Sequence, residues 1–169
     1  VSHMGAIQAQ DYTGSKWALA LRLKNSNDAA IEKAINDGKI IRTHVLRPTW
    51  HYVAAADIKW MLQLSAPRVN AFNASIYRKY GLDDAVFKKT NKILIKILQG
   101  NKQLTRTGIA AALQDAKIVT DELRLIVLLM QGELEGRICN GSKQTNQLTY
   151  ALLDERISES IAIRGDEEL

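Results

Sequence analysis

The sequence contains a single cysteine, two prolines and no long apolar run. One thiol, Cys139, excludes a disulfide framework within the chain and a zinc site built on several cysteines. The longest strongly apolar stretch, residues 123–130, is interrupted by Arg124 and is far too short to span a bilayer. No secretory signal is visible near Val1, so the expected compartment is a reducing cytoplasm, with no membrane partner.

Acidic residues are scarce in the front part of the chain. Of the 169 residues, 1–117 hold 18 Lys or Arg against 8 Asp or Glu, whereas 118–169 hold 5 against 10. The net charge of +5 therefore comes from the front, which indicates contact with a polyanion such as nucleic acid. The alternative is a protein whose surface charge is merely uneven, and charge alone does not separate the two.

The pattern of the first part of the chain predicts two short helices followed by a β-hairpin. Apolar residues keep a helical spacing over 13–24 and 26–37, and β-forming residues dominate 39–45 and 50–53. This order of elements is typical of a winged helix. Residues 1–7 are expected to be the end of a preceding helix.

The same order of elements recurs in the second half of the chain. A helix over 56–73 with a break or a kink at Pro67, and a short segment ending at Gly81, are expected to connect the two halves. Three helices are then expected, over 83–99, 105–115 and 121–134. Two strands are expected to follow them, over 137–139 and 147–153.

The predicted fold class is mainly α with small β-hairpins, arranged as tandem winged helices. We expect a first winged helix over 1–54 that lacks its opening residues, and connecting helices over 55–82. A second winged helix is expected over 83–153, followed by a linker over 154–169 toward a region that is not in this sequence.

Neither expected recognition helix carries the cations that a sequence-specific DNA reader uses. Residues 27–37 offer three carboxylates against Lys33, and 121–134 is acidic with a very apolar centre. Carboxylates facing phosphate repel it, so a sequence-specific repressor is disfavoured. The cations suited to the DNA backbone and minor groove lie on and after the first hairpin: Lys39, Arg42, Arg47, Lys59 and Arg68. For any one of them the alternative is an ordinary solvated cation.

The string Gln8-Ala9-Gln10-Asp11 is the most unusual short segment of the chain. Taken alone, a glutamine pair at a helix end is usually surface or capping chemistry. Two longer strings accompany it, Arg42-Thr-His-Val-Leu-Arg-Pro-Thr-Trp-His and Glu133-Leu-Glu-Gly-Arg-Ile-Cys-Asn-Gly. Together and in this order, the strings resemble the winged-helix DNA-binding family of the AlkZ-like DNA glycosylases, over nearly the whole chain.

The resemblance implies a monofunctional DNA glycosylase for alkylated bases, with crosslinks as a further expected substrate, built from typically three winged helices. This chain resembles the first two. The family's catalytic motif, Gln-x-Gln, falls on Gln8 and Gln10. An N7-alkylated purine already carries positive charge and leaves without strong acid catalysis, so a carboxamide need only orient the attacking water. Double-stranded DNA, held mainly through its backbone and minor groove, is the expected partner.

Other kinds of site are poorly supported by the residues. No glycine-rich phosphate loop is present, and His3, His44 and His51 do not form a ligand set with Cys139. We therefore expect no metal and no cofactor, and the two hairpin histidines are more typical of structural partners than of catalysts. Two rivals stay open: a non-catalytic DNA-binding or regulatory module, and a protein-interaction fragment whose basic face is incidental.

Overall fold

The computed structural model describes residues 1–157 and consists of helices that carry two small antiparallel sheets. After a short 3-10 helix, the first half contains β1 (Ala6–Gln8), α1 (Tyr12–Ala20), α2 (Asp28–Asn36), β2 (Ile40–His44), β3 (Trp50–Ala54) and α3 (Ile58–Lys79). The second half contains α4 (Asp84–Leu98), β4 (Leu104–Thr105), α5 (Arg106–Asp115), α6 (Glu122–Leu134), β5 (Ile138–Asn140), β6 (Thr149–Leu152) and α7 (Leu153–Arg156). The fold is therefore a mixed α/β arrangement of helices with small antiparallel sheets, in agreement with the predicted helices and hairpins.

The first sheet has the strand order β1-β3-β2, and β1 is a strand that the sequence did not predict. The expectation of a helix end over 1–7 is wrong, because only Ser2–Met4 forms a 3-10 turn before Gly5 turns the chain at φ +69°. β1 then pairs with β3, with Gln8 opposite His51. Three residues are too few to show a strand periodicity, and their partner strand lies more than forty residues away in sequence.

The long helix α3 runs through Pro67 to Lys79, so the expected division into two segments is wrong. A proline inside a helix removes one main-chain hydrogen bond, but packing on neighbouring turns can keep the helix together. Ser65 and Val69, on either side of the proline, are both buried. The Ser65 hydroxyl also donates to Met61 O at 2.7 Å.

The helices of the second half begin where the sequence predicts. Asp83, Thr105 and Asp121 each accept a hydrogen bond from the main chain three residues later, which fixes the first turns of α4, α5 and α6. The second sheet has the order β4-β6-β5. Its buried face packs with the three helices in a large apolar core that includes Leu94, Leu98, Ile109, Leu113, Leu128 and Ile138.

A smaller apolar core joins the two halves. Ile41, Val53 and Leu62 from the first half pack with Cys139 and Leu153 from the second. Burial raises the pKa of the Cys139 thiol to about 12, so this cysteine is a packing residue and not a nucleophile. None of the helices between residues 1 and 157 combines the length and apolar character needed to cross a bilayer.

The start of the expected linker is part of the folded structure. Arg156 in α7 donates to the carbonyls of Ile35 at 2.5 Å and Asn36 at 3.0 Å, at the end of α2. Residues 154–157 therefore hold the last turn of a helix from the first half. The rest of the expected linker, 158–169, lies outside the described residues.

Candidate functional site

The two glutamines lie at and just beyond the end of β1. Gln8 is the last residue of β1, and the Ala9 N–H continues the ladder by donating to Trp50 O at 2.7 Å. Alternate residues of an extended chain point to opposite sides. Ala9 is 0% exposed, whereas Gln8 and Gln10 are exposed. Both carboxamides are therefore exposed, on either side of a buried alanine.

Gln10 is held by its side chain and by its main chain. Its Oε1 accepts from Trp50 N, and its carbonyl accepts from Arg42 Nη2, both at 3.4 Å. The next residue, Asp11, uses its carboxylate to accept from Thr13 N and Gly14 N at the start of α1. Asp11 is therefore engaged as a helix cap.

A cavity of about 470 Å³ opens beside Gln10, between the two hairpins. Gln10, Arg42 and Trp50 line it from the first half, and Thr105, Arg106, Thr107, Asn140, Asn146, Gln147, Leu148 and Tyr150 line it from the second. Two arginines and no carboxylate are among these lining residues. Gln8 lies outside the lining, so the structure brings only one of the two predicted catalytic residues to the cavity wall. The size falls in the range of small-molecule sites.

Arg42 does not lie on the surface of the hairpin, where a contact with the DNA backbone was expected. It is 3% exposed, its Nη1 donates to Asn140 Oδ1, and its guanidinium carbon lies 4.5 Å from the centre of a Trp50 ring. Burial lowers the pKa of Arg42, while the carboxylate of Glu133 acts in the opposite direction. The sequence could not reveal this placement, because β2 is covered by β5 and α6, which come from the second half.

The other four predicted DNA-contact residues, Lys39, Arg47, Lys59 and Arg68, are exposed. Arg47 lies at the hairpin turn, between Leu46 at φ +66° and Pro48. Lys59 is paired with Asp154 at 2.9 Å, which lowers its availability for phosphate. Arg106, Asn140 and Tyr150 were not assigned a role from the sequence, although Asn140 lies in one of the strings that carry the resemblance. Arg106, at the start of α5, and Asn140 and Tyr150, on the second sheet, reach the cavity only through tertiary packing.

Glu133 is a buried acid directly behind the cavity wall. It is 0% exposed, and its Oε1 accepts from Trp50 Nε1 and Asn140 Nδ2, each at 3.4 Å. Its Oε2 accepts from His44 Nδ1. His44 is thus a structural partner of this carboxylate. Within residues 1–157, no cluster of three metal-binding side chains occurs.

His51 makes the stability of the first sheet dependent on pH. Burial lowers the pKa of its ring, whose Nδ1 donates to Thr49 O at 2.9 Å. The unfolded chain therefore binds a proton more readily than the folded chain does, so the free energy of unfolding is expected to fall below about pH 6.5.

Urea titrations at about pH 7.5 and pH 5.5 on the wild type and His51→Asn measure this contribution. Asparagine can still donate to Thr49 O but does not titrate, so the variant is expected to lose less stability on acidification. An identical pH dependence in both proteins would contradict the assignment.

Comparisons with known proteins agree with the family resemblance found in the sequence. The family model described as "DNA glycosylase AlkZ-like" matches residues 1–168. Among solved structures, Streptomyces sahachiroi DNA glycosylase AlkZ matches with a TM-score of 0.77 at 20% sequence identity. The match covers 90% of this chain and 42% of that one, so the chain spans less than half the length of that structure. None of the curated proteins matches the sequence.

Proposed function

Because the chain belongs to the AlkZ-like DNA glycosylase family, we propose that it forms part of an enzyme that hydrolyses the N-glycosidic bond of N7-alkylated purines in double-stranded DNA. In this proposal each half is a winged helix, with a pair of helices followed by a hairpin. Gln8 and Gln10 are the catalytic residues.

The single observation that carries the proposal is the placement of Gln10 at the wall of a cavity whose described lining contains no carboxylate. The leaving purine is already cationic, so the enzyme must place a water against the sugar carbon rather than supply a strong acid. A carboxamide accepts from and donates to such a water, and its contribution comes from orientation. Gln10 Oε1 accepts from Trp50 N at 3.4 Å, and Gln8, two residues earlier, is exposed.

Of the two arginines in the lining, Arg106 gives the wall positive charge, whereas the charge of Arg42 is offset from behind. Arg42 lines the cavity, but the buried carboxylate of Glu133 lies behind it and offsets its charge. The phosphates are held elsewhere, by the exposed cations of the first hairpin and α3, Lys39, Arg47, Lys59 and Arg68.

The test is release of 7-methylguanine from a methylated duplex by the full-length protein under single-turnover conditions. Gln8→Ala and Gln10→Ala are each expected to lower the rate at least about tenfold, with little change in the dissociation constant for DNA. Gln63→Ala is the matched control, because Gln63 is an exposed glutamine on α3, away from the cavity that Gln10 lines.

The rivals give different results in the same experiment. Salt-dependent DNA affinity without base release would support a non-catalytic binding module. Absence of salt-dependent affinity would support the reading in which the basic face is incidental.

A further inference from the structure

We propose that Arg42 is a positioning residue for the glutamine motif, and that the second half of the chain holds it in place through Asn140 and Glu133. The proposal rests on the proposed function, because it assigns a role within that same site. It concerns a side chain that the sequence predicted to touch DNA.

The first step is the main chain of the motif. The carbonyls of Ala9 and Gln10 lie beyond the end of β1, where no neighbouring strand pairs with them in the described sheet. Arg42 supplies the missing donors: its Nε bonds to Ala9 O at 2.9 Å and its Nη2 to Gln10 O at 3.4 Å. One guanidinium therefore spans the two peptide groups on either side of Gln10, and so sets the direction in which the motif leaves the sheet.

The second step is the support of Arg42 itself. Asn140 on β5 is 3% exposed and accepts from Arg42 Nη1, while its Nδ2 donates to Glu133 Oε1. Asn140 thus links a buried cation to a buried anion through its two amide atoms. A buried, fully bonded network of this kind fixes side-chain positions more strongly than an exposed one.

The third step connects the same network to the Gln10 side chain. The Trp50 ring packs over the Arg42 guanidinium at 4.5 Å, a distance typical of a cation–π contact. The Trp50 Nε1 donates to Glu133, and the Trp50 main-chain N–H donates to Gln10 Oε1. A change in the position of Arg42 is therefore expected to affect the Gln10 carboxamide in two ways. One is through the hydrogen bond to the Gln10 carbonyl, and the other is through Trp50.

A direct contact between Arg42 and phosphate does not fit this geometry. All three guanidinium nitrogens donate to protein oxygens, and the residue is 3% exposed. A residue that contacts phosphate changes the affinity for DNA and the salt dependence of that affinity. A positioning residue instead changes the rate at saturating protein.

The experiment compares Arg42→Lys with the wild type, using full-length protein and a duplex that contains 7-methylguanine. Lysine keeps the charge but presents one point donor instead of a fork, so it does not span both carbonyls. We expect single-turnover base release to fall about tenfold or more at saturating protein, and the dissociation constant to change less than about twofold. Amide exchange over residues 6–12 is expected to become several-fold faster.

Asn140→Ala is the second variant, and it leaves Arg42 and the motif chemically unchanged. It is expected to change rate and amide exchange in the same direction, with a smaller amplitude. Arg22→Lys is the matched control, because this exposed arginine is remote in sequence from the motif and, within residues 1–157, its side chain donates to Ala18 O alone. Both measurements are made well below each variant's thermal midpoint.

Weaker affinity with a shallower salt dependence and an unchanged saturating rate would overturn the proposal and make Arg42 a phosphate contact. Unchanged amide exchange over residues 6–12 in both variants would also overturn it. The wild type could release no base while amide exchange over residues 6–12 still became faster in both variants. That result would contradict the proposed function but support the role of Arg42 in positioning the motif.

Discussion

Glu133→Ala is expected to lower the free energy of unfolding by about 3–5 kcal/mol, because the change leaves a buried arginine without its nearby negative charge. The carboxylate is 0% exposed and accepts hydrogen bonds from three side chains, His44, Trp50 and Asn140. An alanine side chain accepts no hydrogen bond, so all three donors lose their acceptor, and its smaller volume leaves a cavity between them. The loss is expected to involve both halves of the chain, since the donors come from β2, β3 and β5.

Urea unfolding followed by circular dichroism measures this effect. Glu135→Ala is the control, since Glu135 lies two residues further on, is exposed, and bonds to Asn91 Nδ2 at 2.8 Å. Its replacement is expected to cost about 1 kcal/mol or less. A cost below about 1 kcal/mol for Glu133→Ala would contradict the view that this acid offsets a buried cation.

Gly38→Ala is expected to lower the free energy of unfolding by about 2–4 kcal/mol. Gly38 follows the last turn of α2 at φ +72°, where any side chain is strained by roughly 1 kcal/mol. A Cβ added there would overlap the carbonyl oxygen of Arg156. Relief of that overlap requires α7 to move away, with loss of the Arg156 hydrogen bonds to Ile35 and Asn36.

Gly100→Ala separates the two contributions. Gly100 has φ +80°, but a Cβ there would meet nothing within 4 Å, so only the backbone strain of about 1 kcal/mol is expected. Limited trypsin digestion gives a second measurement, because displacement of α7 would expose the bond after Arg156. Equal losses of stability in the two variants, with no faster cleavage at Arg156, would contradict the proposed overlap.

Helices of the second half could be predicted from the sequence because local residues determine where they begin. Asp83, Thr105 and Asp121 each bond to the main chain of the first turn, and the apolar spacing behind them is regular. β1 could not be predicted, since its three residues become a strand only through pairing with β3. The continuity of α3 likewise depends on tertiary packing around Pro67.

Some features of the candidate site could likewise be predicted from short stretches of sequence, whereas others depend on residues far apart in the chain. The membership in the AlkZ-like family, inferred from several short strings, is confirmed by the family model over residues 1–168. The exposure of Gln8 and Gln10 on either side of the buried Ala9 depends on β1, which the sequence did not predict. The burial of Arg42 could not be inferred, because its hydrogen-bond acceptor Asn140 lies 98 residues later in the chain. The roles of the two glutamines and of the exposed cations stay predictions.

The bond between Arg156 and the end of α2 also affects how the protein is made. During synthesis the carbonyls of Ile35 and Asn36 leave the ribosome well over a hundred residues before the guanidinium that will satisfy them. Arg42 is likewise synthesised 98 residues before Asn140, its hydrogen-bond acceptor. The nascent amino-terminal portion is therefore expected to remain incompletely ordered until translation has passed Arg156.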